Sequence, residues 1–243
     1  MAYQKSSNPV FSDKVFQKAG VQSSEGMMTI QGTVNKSFIL FMALLVPGIW
    51  SFFNWELMGS GLIIGGFIGG LVLGIVTVSK PQWSPYTAPL YAAFQGVALG
   101  AISGIYGAAF DGIVFQAIML TLAILGFMLF AYRTGLIKVT EKLRSGIIAA
   151  TAAIMIVYMI SFVLGFFGMQ VPYLHSSGMI GIGISLVITG IAAFNLLLDF
   201  DYIDRAVHYG APKYMEWMGA FGLMVTLVWL YLEVLRLLSK LRD

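Results

Sequence analysis

The chain has 243 residues, of which 58% are hydrophobic and 10% are charged. Soluble domains carry roughly 25% charged residues, so this composition excludes a water-soluble domain and places the chain in a lipid bilayer. The absence of cysteine excludes disulfides, thiolate nucleophiles and zinc–thiolate sites. The net charge of +3 falls in tails and loops, where membrane topology explains it, so it does not indicate nucleic-acid binding.

Residues 1–36 are polar, are interrupted by Asn8-Pro9 and Gly20, and lack the apolar stretch of a cleavable signal peptide. We interpret them as a flexible tail and residues 37–243 as one membrane domain. The domain contains seven apolar segments, each close to the ~20 residues that a helix needs to cross the hydrocarbon core. The predicted fold is therefore all-α, a bundle of seven transmembrane helices. The predicted segments are 38–53, 60–79, 87–107, 112–132, 146–168, 178–198 and 214–238.

Glycines recur every four residues in the second and third segments. They are Gly61, Gly65 and Gly69 in the second segment, and Gly96, Gly100 and Gly104 in the third. Small residues along one face let helices approach until their backbones touch, which replaces the hydrophobic drive that lipid does not supply. We therefore predict that both helices lie in the interior of the bundle.

Lysine and arginine alternate between successive connections of the predicted helices. The tail and the second, fourth and sixth connections contain them, whereas the first, third and fifth contain none. By the positive-inside rule, this pattern places the amino terminus in the cytoplasm. Seven full crossings then put Arg236, Lys240 and Arg242 outside, against the rule. Either this short tail escapes the rule or the last segment is re-entrant.

Acidic side chains lie in or beside the last two apolar segments. An acid in hydrocarbon costs at least ~2.5–3.5 kcal/mol on insertion scales, so it normally faces the bundle interior or an aqueous cavity. Asp199 follows the sixth segment and Glu216 starts the seventh, so their carboxylates can meet near the inner membrane face. A close pair in a medium of low dielectric shares a proton, and its deprotonation separates the helices and leaves oxygens that suit Ca²⁺.

The spacing supports a second interpretation equally well. Asp199 would then be a helix-end residue that reaches water, and Asp201 would belong to an ordinary polar loop. Glu233 lies deeper, toward the outer side, where it can snorkel or pair with Arg236 three residues later.

Several stretches resemble the Bax inhibitor family, also called the transmembrane Bax-inhibitor-motif (TMBIM) family, and in particular its bacterial members. They are APLYAAFQGVALGAIS in the third segment, LLLDFDYID around the end of the sixth, and YMEWMGAF and LYLEVLRLL in the seventh. The resemblance covers essentially the whole chain after the tail. It implies a protein of the bacterial inner membrane that leaks Ca²⁺ in a pH-dependent way. In that family an acidic pair from the sixth and seventh helices closes the pore.

The same resemblance assigns roles to particular residues. It makes Asp199 the acid of the sixth helix, within Asp199-Phe200-Asp201, and it fits either Glu216 or Glu233 in the seventh. Depth favours Glu216, whereas the local Leu-Tyr-Leu-acid run favours Glu233, and we predict Glu216. Lys80, at the inner end of the second segment, is the basic residue available to latch the pair, although lysine lacks the bidentate geometry of arginine.

The predicted function is a pH-sensitive Ca²⁺ leak channel of the Bax inhibitor type. Its gating residues are Asp199, Asp201, Glu216 and Glu233, and Asp199 and Glu216 are the predicted Ca²⁺ ligands. The expected partners are the lipid bilayer, Ca²⁺ and H⁺, and no cofactor is expected. No enzyme is predicted, because the Gly-x-Gly-Asp motif of intramembrane aspartyl proteases does not occur and both histidines fall in loops. The alternative is a non-conducting regulator that binds other membrane proteins, such as a membrane protease or a cell-survival partner.

Overall fold

The computed structural model describes residues 26–57, 59–169 and 176–242, and these residues form seven long α helices. All seven are long and apolar enough to cross a bilayer, which confirms the predicted all-α membrane fold. A short 3-10 turn, Pro81–Trp83, joins the second helix to the third. The helices are α1 Ile30–Phe53, α2 Ser60–Ser79, α3 Ser84–Ala109, α4 Ile113–Arg133, α5 Glu141–Phe166, α6 Met179–His208 and α7 Met215–Lys240.

Two helix boundaries differ from the predicted ones in ways that affect the acids. Helix α1 begins at Ile30, so the last residues of the predicted tail are helical, while residues 1–25 lie outside the described part of the chain. Helix α6 continues past residue 198 to His208. The charged residues that ended the apolar pattern support this extension, because Asp201 and Arg205 form an ion pair across one helical turn.

Helix α3 lies in the interior, as its glycines predict. Gly96 and Gly100 face α1 so closely that a Cβ atom would lie 2.2 Å from the Leu44 carbonyl oxygen at Gly96 and 2.1 Å from the Gly48 oxygen at Gly100. The Ser51 hydroxyl also donates a hydrogen bond of 2.7 Å to the Val97 carbonyl oxygen. Backbone-to-backbone packing of this kind is what holds α1 on α3 in lipid.

Helix α2 lies at the periphery, so the prediction that it is interior is wrong. It packs on α3 through Gly66, Gly69 and Gly70, whereas Gly61 and Gly65 have open space beside them. A glycine face is enough to bind one neighbour, but the wide apolar remainder of the helix faces lipid.

The buried apolar core lies along α7. One cluster joins α7 to α4 and α6 around Leu196, Leu230 and Leu235. A second cluster joins α7 to α1 and α3 around Leu40 and Phe221. Helix α7 is therefore the central column against which four other helices pack.

Helix α7 runs from one face of the bundle to the other, which argues against a re-entrant last segment. We call the face where α1 and α7 begin the entry face. At the other face, the Lys240 ammonium group donates hydrogen bonds to the Gly181 carbonyl oxygen at 3.1 Å and to the Ser185 hydroxyl at 2.8 Å. Arg242 donates to the Asp111 carbonyl oxygen at 2.8 Å, beyond the end of α3. The basic carboxyl-terminal residues thus bind partners at the face opposite to the entry face.

We expect Gly100→Ala to lower the apparent unfolding temperature in detergent by at least about 2 °C, since overpacking costs roughly 1–3 kcal/mol. Gly65→Ala is the matched control, because nothing lies within 4 Å of the new Cβ atom there. Thermal melts followed by circular dichroism measure both. Equal melting temperatures for the two variants would contradict the described contact between α1 and α3.

We also expect cysteines introduced at Lys213 and at Arg242 to be labelled from opposite sides of the membrane. The wild-type chain has no cysteine and gives no background. A membrane-impermeant maleimide applied to oriented proteoliposomes measures this difference. Labelling of both positions from the same side would refute the full crossing of α7.

Candidate functional site

Asp199 faces the interface between α6 and α7. Its Oδ2 atom is buried and has no hydrogen-bond partner among the described residues. Its Oδ1 atom lies 3.7 Å from the position that a Cβ atom of Gly222 would occupy, and the Thr226 side chain is within hydrogen-bonding reach of the carboxylate. A buried polar atom without a partner is rare in folded proteins and costs about 1–3 kcal/mol. This feature makes Asp199 the strongest functional candidate among the described acids.

Glu216 lies in the first turn of α7 and is bound to the start of α1. Its Oε1 atom accepts hydrogen bonds from the Thr29 backbone nitrogen at 3.0 Å and from the Thr29 hydroxyl at 2.9 Å. Its Oε2 atom forms an ion pair with the Lys36 ammonium group. The carboxylate reaches this position because Gly32 has no side chain, since a Cβ atom there would lie 2.1 Å from Oε1. We call Thr29, Gly32, Lys36 and Glu216 the entry lock.

The entry lock is extended by backbone contacts between the residues before α1 and the loop between α6 and α7. Met28 donates its N–H to the Ala211 carbonyl oxygen at 2.8 Å, and Lys213 donates to the Gly26 carbonyl oxygen at 3.2 Å. Because Glu216 also accepts the N–H that precedes α1, its negative charge lies at the positive end of the α1 dipole. The beginnings of α1 and α7 are thus joined by both charge and backbone.

Asp201 belongs to an ion cluster between α5 and α6. It pairs with Arg144 of α5 and, at 2.9 Å, with Arg205 of its own helix. Glu141 lies on the outer side of the cluster, 3.4 Å from Arg144 and 3.8 Å from Arg205. The charge of Asp201 is therefore neutralised by two arginines. This cluster lies near the entry face, where α5 begins.

Glu233 lies in the other half of α7, and its carboxylate is surrounded by donors. The Tyr158 hydroxyl donates to Oε1 at 2.8 Å and the Trp229 indole N–H donates at 3.2 Å. The Arg236 guanidinium donates to both carboxylate oxygens at 3.1 Å and also to the Tyr158 hydroxyl at 2.6 Å. This acid is buried with a full set of partners, so its charge is compensated within the protein.

Lys80 is exposed at the end of α2. Its ammonium group lies 4.1 Å from the centre of the Trp83 ring, a cation–π contact. Within the described part of the chain it forms no ion pair, and the structure does not place it against Asp199 or Glu216. The basic partner of Glu216 is Lys36 of α1 instead.

The structure does not bring Asp199 into contact with either candidate acid of α7. Asp199 lies level with Gly222 and Thr226. Glu216 precedes Gly222 by six residues, about 9 Å along the helix, and Glu233 follows Thr226 by seven residues, about 10 Å. The physical reason is the extension of α6 to His208, which leaves Asp199 well inside the bundle while Glu216 stays at the entry face.

The predicted pair of Ca²⁺ ligands is also separated. The oxygens of Glu216 are occupied by Thr29 and Lys36, so they do not form a joint ligand set with Asp199. Among the described residues, no group of three or more His, Asp or Glu side chains is arranged to hold a metal ion.

Sequence reasoning missed Lys36 and Thr29 as partners of Glu216. Their signal was present in the sequence, because Thr29, Gly32 and Lys36 are spaced by three and four residues and share one face of a helix. The signal was lost because these residues were assigned to the tail. Sequence reasoning also missed Thr226, because a single threonine in an apolar helix forms no distinguishing pattern.

Comparison with known proteins agrees with the resemblance noted in the sequence. The model of the family described as Bax inhibitor 1 like matches residues 8–243. The chain belongs to this family. The match includes all seven helices of this Bax inhibitor 1 like protein, together with Asp199, Glu216 and Glu233. No curated protein matches the chain.

We expect the entry lock to couple Lys36 and Glu216 energetically. Lys36→Met and Glu216→Gln should each destabilise the protein, and the double variant should lose less than their sum. The difference should be about 0.5–3 kcal/mol, the range for residues in direct contact. Reversible unfolding in mixed micelles measures the four proteins of this cycle. Lys80→Met is the control, and purely additive effects of Lys36→Met and Glu216→Gln would show that the ion pair contributes nothing.

Proposed function

We propose that this Bax inhibitor 1 like protein is a pH-sensitive Ca²⁺ leak channel and that Asp199 is its proton-responsive residue. The observation that supports the proposal is the buried Oδ2 atom of Asp199, which has no partner among the described residues although it lies inside a seven-helix bundle. An ionisable side chain in such a position is a functional candidate by default.

The cost of burying an unpaired charge provides the link between protons and opening. A carboxylate with no counter-charge and no hydration is strongly destabilised in an apolar interior. Ionisation of Asp199 therefore has to be accompanied by a rearrangement that admits water or a cation to the α6–α7 interface. A hard cation such as Ca²⁺ prefers carboxylate oxygens, so the same event creates a favourable position for the permeant ion.

In this proposal the acids of α6 and α7 have separate roles and do not share a proton. Asp199 responds to pH where it faces Gly222, while Glu216 holds the start of α7 to α1 through Lys36 and Thr29. Gly222 leaves room beside the Asp199 carboxylate for water or for a cation. The entry lock keeps one end of α7 fixed, so that the rearrangement leaves the start of α7 in place.

The remaining parts of the proposal concern location and chemistry. The entry face lies in the cytoplasm, as the distribution of lysine and arginine indicates, and the membrane is the inner membrane of a bacterium. The mechanism needs no catalytic residue and no cofactor, so we propose a conducting protein and not an enzyme. Ca²⁺ and H⁺ are its partners as permeant and regulatory ions.

Purified protein reconstituted into liposomes that contain a Ca²⁺ dye tests the proposal. The wild-type leak should increase with pH, by no more than about tenfold per pH unit if one proton controls it. Asp199→Asn cannot ionise and should leak slowly at every pH. Asp204→Asn is the matched control, because Asp204 lies on the same helix but is exposed, and it should keep the wild-type profile.

Two outcomes would contradict the proposal. A wild-type leak with the same pH profile in Asp199→Asn would remove Asp199 from the gate. No leak at any pH from correctly folded wild-type protein would exclude conduction and favour the alternative, a regulator that binds other membrane proteins.

A further inference from the structure

Helix α5 touches the rest of the bundle along one narrow stripe. The shielded side chains along the centre of this stripe alternate in spacing between three and four residues, as in a coiled-coil seam. They are Arg144, Ile147, Thr151, Ile154, Tyr158 and Ser161. Ile147 is the one buried residue among the α5 side chains that the structure describes. The remaining surface of α5 faces lipid.

Three residues of the stripe, spaced seven positions apart along α5, make polar contacts with α6 or α7. Arg144 pairs with Asp201 near the entry face. The Asn195 amide donates a hydrogen bond of 2.8 Å to the Thr151 hydroxyl. At the third position, the Tyr158 hydroxyl binds Glu233 and Arg236, as described above. We call these three contacts the α5 seam.

The α5 seam extends through most of the membrane. Its first and last α5 residues, Arg144 and Tyr158, are separated by fourteen positions, which is about 21 Å along a helix. The hydrocarbon core is about 30 Å thick. Asp199 lies one helical turn from Asn195 on the same face of α6, between the first and second contacts of the seam. Polar groups thus follow one another along the same side of the α6–α7 pair.

The attachment of α5 differs in kind from that of α3. Helix α3 is held by glycine faces at which backbones touch, and a large part of its surface is buried. Helix α5 has little apolar packing, and in lipid there is no hydrophobic drive to replace it. Its position therefore depends on the polar contacts of the seam, which are individually modest and can be broken and remade.

We propose that the cation route of the channel follows the α5 seam and that α5 is the wall that moves to open it. This inference rests on the proposed function and specifies its path. In the closed state Asp201 and Glu233 are neutralised by arginines, and Thr151 and Asn195 satisfy each other. When α5 moves away, these oxygens and Asp199 line one side of a gap that crosses most of the bilayer. Oxygen ligands at successive depths suit the passage of a hard cation.

The absence of native cysteine allows a direct test. Thr151→Cys with Asn195→Cys places two thiols where the Asn195 amide nitrogen and the Thr151 hydroxyl are now 2.8 Å apart, so a disulfide or a short bifunctional thiol reagent can tie α5 to α6. The oxidised double variant should lose the Ca²⁺ leak in liposomes, and a reductant should restore it. Thr77→Cys with Thr87→Cys is the matched control, because these hydroxyls are 2.7 Å apart and join α2 to α3. That crosslink should leave the leak unchanged.

A second measurement loosens the seam without a crosslink. Tyr158→Phe removes the hydroxyl that binds both Glu233 and Arg236 and should increase the leak. Tyr86→Phe alters an exposed tyrosine and should have no effect.

The outcomes separate the two proposals. No leak from the wild-type protein contradicts the proposed function itself. A wild-type leak that persists when mass spectrometry shows complete crosslinking of residues 151 and 195 overturns the route along α5, and the channel proposal survives. If neither oxidant nor a short bifunctional thiol reagent joins residues 151 and 195, the route is also overturned, since the two side chains would then not be neighbours. An unchanged leak in Tyr158→Phe counts against it in the same way.

Discussion

A charge inside a bilayer has to be compensated by the protein, because neither lipid nor water is available to do so. Most charges of this bundle obey that constraint. Glu216 has Lys36, Asp201 has two arginines, and Glu233 has Arg236 and Tyr158. Asp199 is different, since one of its oxygens is buried without a partner among the described residues. The compensated charges fix the positions of helices, whereas the uncompensated acid is free to respond to its surroundings.

The bundle combines two kinds of helix association. Helices α1 and α3 are joined by glycines at which no side chain fits, an arrangement that cannot move without losing its packing. Helix α5 is joined by polar contacts with little apolar burial behind them. The proposed channel needs both, because a rigid frame has to hold the site while another part moves. Asp199 lies between these parts, on α6, facing the central helix α7.

The two acids of α7 lie in opposite halves of the helix, but each is paired with a basic residue. Glu216 ties the beginning of α7 to α1 at the entry face, and Glu233 lies in the other half of the helix, within reach of α5. Asp199 faces the intervening stretch at Gly222 and Thr226, where α7 has no charge. The acids in the stretches that resemble the Bax inhibitor family therefore lie at three separate levels along α7 and do not form a single pair of carboxylates.

The amino-acid sequence by itself determined the seven membrane helices, the close packing of α3 and the presence of acids in or beside the last two helices. Hydropathy and glycine spacing are local properties of the sequence, so they can be read without knowing how the helices are arranged. Tertiary structure alone decided that Glu216 binds Lys36, that α2 is peripheral and that Asp199 is level with Gly222. These features depend on the rotation and depth of helices far apart in the chain. The apolar pattern ended at Asp199, but the helix continues. The ion pairs of Asp201 with Arg144 and Arg205 stabilise the residues that follow.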